Sequence, residues 1–261
     1  MVRINTVILV MMLLLSGCQP MIMKSKPALE NEGEVYVYIQ PFSPEAERLR
    51  FQIDHLSVVR SDGTEFPLAL AVTELGRDAT KRQRLLAVGR VAPGRYTALS
   101  MTIKQATLMG ESGEAALLTP EGAVKTDFSF EIHRRDAVLI TLSIKFSDSV
   151  QSGIRFNPVF SPAIPPRPVS GLTGYLTNRD DNTIMVFDKK AGEVAAVMTT
   201  GRNPSSIVID QRTGRSYVSF SGDDEVQAID LTGAIINTLH LNINDGPRDL
   251  ALTPDGKRFW S

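Results

Sequence analysis

Residues 174–188 read GYLTNRDDNTIMVFD, and residues 216–230 read SYVSFSGDDEVQAID. The two stretches align without a gap at an offset of 42 residues, which places Tyr175 on Tyr217 and Asp188 on Asp230. A second pair of segments follows the same spacing closely, NPSSIVI at residues 203–209 and GPRDLAL at residues 246–252. Because several motifs recur in register, the carboxyl-terminal part of the chain is an internal structural repeat.

Each repeat predicts four short strands separated by turns. In the first unit they cover residues 174–178, 183–188, 194–199 and 206–210, and in the second 216–220, 226–230, 235–241 and 249–253. Four short strands in a period of about 40–45 residues are the signature of a β-propeller blade. A third unit is expected to start at Phe259, which lies 42 residues beyond Tyr217.

These motifs closely resemble the YVTN-type propeller repeat, with its Tyr-Val-Thr-Asn strand, Asn-Pro step and Pro-Asp-Gly turn. The residues that carry the resemblance are Tyr175, Asn178, Asp188, Pro204, Tyr217, Asp230, Pro247 and Gly256. The resemblance implies an extracytoplasmic protein whose propeller acts mainly as a binding or scaffolding surface. Some members of the family are lactonases or redox enzymes, which assemble their ligands across several blades.

Two full periods do not close a propeller, because each blade buries its faces against neighbours on both sides. We therefore expect the chain to be a truncated reading frame or a fragment of a protein with more blades. The alternative, if the chain is complete, is a homo-oligomer that closes the ring.

The preceding region is also rich in strands. Alternating, β-branched and aromatic segments predict strands at residues 34–40, 49–60, 84–91, 96–108, 126–132 and 137–146. Their short spacing, without a helical period, predicts an antiparallel β-sandwich. The hairpin step Pro93-Gly94-Arg95-Tyr96, with the strands around it, resembles an uncharacterised bacterial lipoprotein sandwich domain of the prealbumin-like kind. Residues 72–82 predict a loop or a helical turn.

The amino terminus predicts a secretion signal. Arg3 precedes an apolar run at residues 7–15, which fits a signal peptide and is shorter than the roughly 20 residues of a spanning helix. The run ends in Leu15, Ser16, Gly17 and Cys18, which resembles the bacterial lipobox. The resemblance implies cleavage before Cys18 and acylation of its sulfur and new amino group, with diacylglycerol and a further chain such as palmitate. Such chains would anchor the protein stably. The alternatives are a cleaved signal with an incidental free cysteine and a short buried apolar segment.

The sequence thus predicts an all-β protein with an amino-terminal antiparallel β-sandwich and an incomplete β-propeller of two full blades and the start of a third. The expected organisation is a signal peptide (1–17), a tether (18–33), a sandwich (34–160), a proline-rich linker (161–172) and a partial propeller (173–261). The expected location is the bacterial cell envelope, periplasmic or surface-facing, and the outer membrane in a Gram-negative cell.

Composition excludes several classes of function. The 28 basic and 29 acidic residues leave a net charge of −1, whereas nucleic-acid-binding proteins normally carry a basic face. The single cysteine rules out an intramolecular disulfide and Cys-based metal sites. We expect no cofactor, because His55 and His133 fall in no metal-binding spacing and the propeller part contains a single histidine, His240. Aspartates in the blade loops, which are Asp180, Asp181, Asp223 and Asp224, are expected to cap turns rather than line a metal site.

The sequence contains no nucleophile elbow or phosphate-binding loop, so we assign no catalytic residue. The leading interpretation is a non-enzymatic, membrane-anchored lipoprotein that binds a protein or glycan partner in the envelope. The alternatives are a propeller hydrolase of the lactonase kind, whose active centre lies in missing blades, and a nonfunctional truncated remnant.

Overall fold

A computed structural model describes residues 26–76, 81–111, 113–166, 172–230, 233–256 and 258–260. The protein is all-β, and its only helical segments in these ranges are a 3₁₀ turn at Ala46–Arg48 and the four-residue helix α1 at Phe146–Ser149. The strands of the first part are β1 (Gly33–Ile39), β2 (Leu49–Arg60), β3 (Glu65–Pro67), β4 (Ala69–Leu70), β5 (Glu74–Leu75), β6 (Arg84–Val91), β7 (Gly94–Gly110), β8 (Gly113–Leu117), β9 (Val124–Ile132), β10 (Ala137–Ile144), β11 (Val150–Gln151), β12 (Arg155–Phe156) and β13 (Phe160–Ala163).

Two sheets of this part pack face to face as a β-sandwich. The first has the order β13-β10-β1-β6-β4, and the second has the order β3-β2-β7-β8, with β5 paired to β2 and β9 paired to β7. Apolar side chains at alternate positions of β1 and β2, such as Val37 and Phe51, meet in one continuous core. Alternation places them on one face of each strand, which is why the sequence pattern identified these strands.

The sheets are antiparallel except for one pair. Strand β1 pairs in parallel with β10, with Val37 opposite Ile140. The local pattern identifies each strand but carries no information about the direction of its partner, so the sequence did not predict this pair.

The first sheet also extends past the predicted boundary at residue 160. Residues 160–163 form the edge strand β13, which pairs antiparallel with β10. Pro162 is compatible with this position because an edge strand needs no donor on its outer side. Residues 77–80, within the segment predicted as a loop or helical turn, lie outside the described ranges, and β5 occupies Glu74–Leu75.

The second part is an incomplete propeller. Its strands are β14 (Thr173–Asn178), β15 (Thr183–Asp188), β16 (Glu193–Thr199), β17 (Pro204–Asp210), β18 (Arg215–Phe220), β19 (Glu225–Ile229), β20 (Ile235–His240), β21 (Ala251–Leu252) and β22 (Phe259–Trp260). Within the described ranges they form three successive antiparallel sheets, β14–β16, β17–β20 and β21–β22, which we call the first, second and third blades.

The blades are offset by one strand from the repeat units expected from the sequence. Strand β17 was assigned to the first unit, but it pairs with β18 and opens the second blade. Strand β21 likewise opens the third blade by pairing with β22. This β21–β22 register also places Trp260 opposite Ala251, as Tyr217 is opposite Val208. Trp260, rather than Phe259, is therefore the structural counterpart of Tyr217.

The first blade lies between the sandwich and the second blade. One of its faces, with Met185, Val194 and Val197, covers Tyr36 and Leu139 on the outer side of the first sandwich sheet. Its other face contributes Tyr175, Ile184 and Met198 to a second apolar cluster. The second blade supplies Ile207, Val218, Phe220 and Ile229 to that cluster. Both faces of the first blade are therefore covered.

Polar contacts fix this arrangement at the sandwich side. The Gln83 side chain donates to the carbonyl of Val194 (3.1 Å) and accepts from its amide (2.7 Å), as a paired strand residue would. Near the amino terminus, the Lys26 amide donates to the Asp180 carbonyl (2.7 Å), and its ammonium pairs with buried Glu34. The Tyr36 hydroxyl also donates to Glu34 (2.8 Å), and burial together with this carboxylate raises the pKa of Tyr36.

Candidate binding cleft

A cleft of about 680 Å³ opens between the first and second blades. Its apolar lining comes from both blades and includes Ile184, Met198, Phe220 and Ile229. Ile235, on the outer strand of the second blade, lines the same space and is 60% exposed. The two blades contact each other at the second apolar cluster described above. Beside that contact they separate, and the gap between them is the cleft. Its volume is in the range of ligand-binding clefts.

Charged groups surround this apolar lining. Arg202 donates from its backbone amide (2.5 Å) and from Nε (2.6 Å) to the two oxygens of Asp223. Together they connect the loop between the first two blades to the hairpin β18–β19. Charge-assisted pairs of this kind are stronger and more directional than neutral hydrogen bonds. The rim therefore offers both a cation and an anion at fixed positions.

The sandwich contributes Arg135 to the same cleft. Its backbone has φ = 57°, its amide donates to the Glu32 carbonyl (2.8 Å), and its carbonyl accepts from the Thr199 hydroxyl. A left-handed arginine persists only where its surroundings hold it. The amino-terminal segment, the sandwich and the first blade thus meet at Arg135.

A repeated clasp joins consecutive blades. Oδ1 of Asn182 accepts the amide of Asn203 (2.8 Å), and Oδ1 of Asp224 accepts the amide of Gly246 (2.8 Å). All four residues have φ between 51° and 55°. In both repeats, the residue that supplies the amide directly precedes the proline of the step motif.

The clasp gives the acidic residue Asp224 a structural role. A second amide, from Asn244, donates to its other oxygen (2.9 Å). These two hydrogen bonds from backbone amides stabilise the carboxylate and lower the pKa of Asp224. The expected capping role is therefore what the geometry supports for this residue.

The other loop aspartates lie in similar local contacts. Asp181 accepts a hydrogen bond from the Asn178 side chain (2.8 Å), and Asp223 forms a salt bridge with Arg202. The Asp180 carbonyl accepts the backbone amide of Lys26. Across the described ranges, no group of three or more His, Cys, Asp or Glu side chains could hold a metal ion.

The structure distributes the repeat-defining residues along the blades. Asp188 caps the turn after β15 by accepting the amides of Lys190 and Ala191, and Asp230 accepts the amide of Ala234. Half-buried Tyr175 and Tyr217 occupy matching positions in β14 and β18. Pro204 is buried at the start of β17, and Pro247 is buried in the segment before β21. Gly256 has φ = 65° in the turn between β21 and β22.

The histidines lie apart from the cleft lining. His55 contacts the neighbouring Asp54 (2.8 Å) at an exposed position, and exposed His133 lies in the connection between β9 and β10. His240 lies across from Glu225 at 3.3 Å on the second blade. Each of these contacts is local, so the histidines form no common site.

The predicted lipidation residues, Leu15, Ser16, Gly17 and Cys18, lie outside the described residues. In the described part of the chain, no helix combines the length and apolarity needed to cross a bilayer.

Sequence reasoning missed Arg135, Arg202 and Gln83. Their partners are 64, 21 and 111 residues away in the chain, so no local pattern marks them. Asn182 and Asp224 occupy matching positions in the aligned repeats, and both side chains carry an oxygen that can accept a hydrogen bond. This shared feature was the signal in the sequence that could have predicted the clasp.

The solved structures that are similar to this chain include proteins of low sequence identity. No family model matches the sequence, and no curated protein is significantly similar to it. Similar solved structures include a streptogramin B lyase (10% identity over 90% of this chain and 91% of that chain, TM-score 0.29). Virginiamycin B lyase from Staphylococcus aureus is another (10% identity, 86% and 76%, TM-score 0.27). The hydrazine synthase of Kuenenia stuttgartiensis matches over 36% of this chain and 28% of its own, at 19% identity and a TM-score of 0.31. Such similarities assign no activity to this chain.

Proposed function

We propose that this chain is a lipid-anchored, extracytoplasmic binding module for a protein or glycan partner in the bacterial cell envelope, with no catalysis of its own. The cleft between the first and second blades is the site where the partner binds. The anchor is the acylated Cys18, which follows the signal peptide. The proposed location is periplasmic or surface-facing, and the outer membrane in a Gram-negative cell.

The observation that carries this proposal is the lining of the cleft. It combines apolar side chains, including Met198 and Phe220, with the arginines Arg135 and Arg202. Arginine, methionine and aromatic residues are enriched at protein interfaces, where apolar groups give affinity and charged groups at the rim give orientation. The salt bridge between Arg202 and Asp223 supplies such a rim.

Photo-crosslinking in the envelope tests the protein-binding form of the proposal. A photoreactive phenylalanine analogue replaces Ile235 in the cleft, or Ile154 in the sandwich, which is similarly exposed (60% and 61%). We expect a discrete adduct from position 235, absent from position 154 and lost when Arg202→Glu is added. Equal adducts from both positions, or none from either, would count against a protein partner at the cleft.

A glycan partner is tested by comparing the wild-type chain with Ile235→Lys on immobilised envelope glycans. We expect binding by the wild-type chain and at least tenfold weaker binding by Ile235→Lys, because the lysine introduces a charge into the apolar lining. Turnover of a lactone that a chelator abolishes would instead favour the hydrolase alternative. Rapid degradation of the full chain in cells would favour the remnant.

A further inference from the structure

A short segment just before the sandwich forms one wall of the cleft. Residues 26–32, which we call the strap, precede β1 and form no strand. Three residues of the strap, Ala28, Leu29 and Glu30, line the cleft together with the two blades. Ala28 and Leu29 are half-buried there, although no strand pairing holds them. The cleft therefore has a wall that belongs to neither blade.

The strap is attached to the first blade at its amino-terminal end. The Lys26 amide donates to the Asp180 carbonyl (2.7 Å), and the Lys26 carbonyl accepts from the Asn182 side chain. Oδ1 of the same asparagine closes the clasp to the second blade. Asn182 therefore connects the strap directly to the joint between the blades that form the cleft.

The sandwich holds the rest of the strap through two arginines. Arg90 donates to the Pro27 carbonyl. Nε of Arg135 donates to the Glu30 carbonyl (3.3 Å), and its amide donates to the Glu32 carbonyl (2.8 Å). The two side-chain bonds are exposed to solvent. Segments with few buried apolar contacts and exposed hydrogen bonds open at a low cost in free energy, so the strap should detach while the sandwich and the blades stay folded.

We infer that the strap is a movable wall of the cleft, and that its attachment and the binding of a molecule in the cleft stabilise each other. A ligand that contacts Leu29 binds best while the strap is attached. Because coupling between two binding events is reciprocal, that ligand also holds the strap in place. This inference rests on the proposed function, since it gives the proposed site a means of regulation.

The strap connects the cleft to the proposed anchor. It begins a few residues after Cys18, and in the anchored form it lies between the acylated cysteine and the sandwich in the chain. Detachment of the strap removes Ala28 and Leu29 from the cleft and weakens binding there. The anchored end of the chain therefore regulates the site, although it lies outside both blades.

Native-state hydrogen exchange tests whether the strap moves by itself. The chain from residue 18 onward carries Cys18→Ser, so that it stays unacylated. The reference is the amide of buried Leu68, which donates to the Leu56 carbonyl within the sandwich (2.8 Å). Corrected for intrinsic rates, the Lys26 amide should exchange roughly a hundredfold or more faster than this reference. Equal protection of the two amides would show that the strap opens only when the sandwich unfolds, and would overturn the inference.

Nile red, a neutral apolar dye, serves as the probe for the coupling. We expect saturable binding to the cleft, with a Kd about tenfold higher for Ile235→Lys, because the lysine places a charge in the apolar lining. At about ten times its Kd, the dye should slow exchange of the Lys26 amide about tenfold, since a ligand that needs the attached strap depletes the open form by that factor. Exchange of the Leu68 amide should stay unchanged.

Leu29→Ala and Met109→Ala separate a contact with the wall from a general effect. Met109 is 47% exposed on β7 and lines no part of this cleft. Leu29→Ala should raise the Kd of the dye about threefold through the lost apolar contact, whereas Met109→Ala should leave it unchanged. Equal Kd values for Leu29→Ala and the wild type would show that the strap is not a wall of the site.

The two possible failures have different readouts. Dye binding that Ile235→Lys does not weaken would remove the cleft as the binding site, and the proposed function would fail together with the inference. Dye that binds in the cleft but leaves exchange of the Lys26 amide unchanged, or speeds it, would overturn the coupling alone.

Discussion

Replacing Asn182 with alanine should release the first blade from two neighbours at once. Asn182 is 4% exposed, its Oδ1 accepts the Asn203 amide at 2.8 Å, and its Nδ2 donates to the Lys26 carbonyl. Each hydrogen bond contributes about 1 kcal/mol to stability, and alanine in the left-handed region costs about 1 kcal/mol more than asparagine. The change should therefore lower the free energy of opening at this joint by about 3 kcal/mol.

The matched control is Asn182→Asp, since Asp224 holds the same position in the next repeat. Aspartate keeps the acceptor for the Asn203 amide and the tolerance for positive φ, but it loses the donor to Lys26 and places a charge at a position that is 4% exposed. It should therefore cost at least the roughly 1 kcal/mol of the lost hydrogen bond while leaving the Asn203 amide paired. Native-state hydrogen exchange at the Asn203 amide measures both values. If the two variants exchange at the same rate, or if the amide is as protected in Asn182→Ala as in the wild type, the clasp does not hold the blades as described.

Four further changes test other parts of the structure. Phe220→Ala should destabilise the joint between the first two blades by about 3–5 kcal/mol, measured by urea unfolding; a loss below about 1 kcal/mol would show that the cluster is not a core. Gln83→Ala should speed exchange of the Val194 amide, and unchanged exchange would mean that water replaces the side chain. The pKa of Asp224 is lowered in the folded protein. Its carboxylate therefore stabilises the clasp above the usual aspartate pKa of about 3.9, and this stabilisation is lost as pH falls through the folded pKa. Asp224→Asn should remove that acid-dependent step from exchange at the clasp, and its persistence would assign the step to another group. Cys18→Ser should abolish incorporation of labelled palmitate and release the protein from the membrane fraction, whereas retained label would exclude this lipidation site.

The sequence predicted the strands well because side-chain alternation and turn residues are local signals. Strands β2 and β6 begin and end at the expected residues, as does β15 in the first repeat. The repeat spacing also identified the blades, because it depends on the order of residues within each unit and not on contacts between distant parts.

The pairing of the strands was harder to predict than their positions in the sequence. Strand β17 belongs to the second blade because it pairs with β18 through a short turn. Strand β1 pairs in parallel with β10, which lies about 100 residues later in the chain. A strand pattern shows which face is apolar but not which sheet will cover it. For the same reason the covering of the first blade by the sandwich, with Gln83 on Val194, had no signal in the sequence.

The candidate cleft was also predictable from the sequence only in part. Its apolar lining comes from strands whose alternation was visible, whereas its charged rim depends on Arg135 and Arg202, which reach their partners through the tertiary fold. The capping role of Asp224 was predictable because Asx residues in turns accept backbone amides, although which amides would donate was not.

The contacts of Lys26 determine how the molecule responds to mechanical load. A pull on the amino terminus reaches Lys26 before it reaches β1, and Lys26 is bonded to the first blade through Asp180 and to the sandwich through Glu34. The force is therefore shared between the two parts from the outset, and these few bonds rupture before any strand of the sandwich is peeled away. In a protein held to a membrane by its amino terminus, they would protect both folded parts from moderate tension.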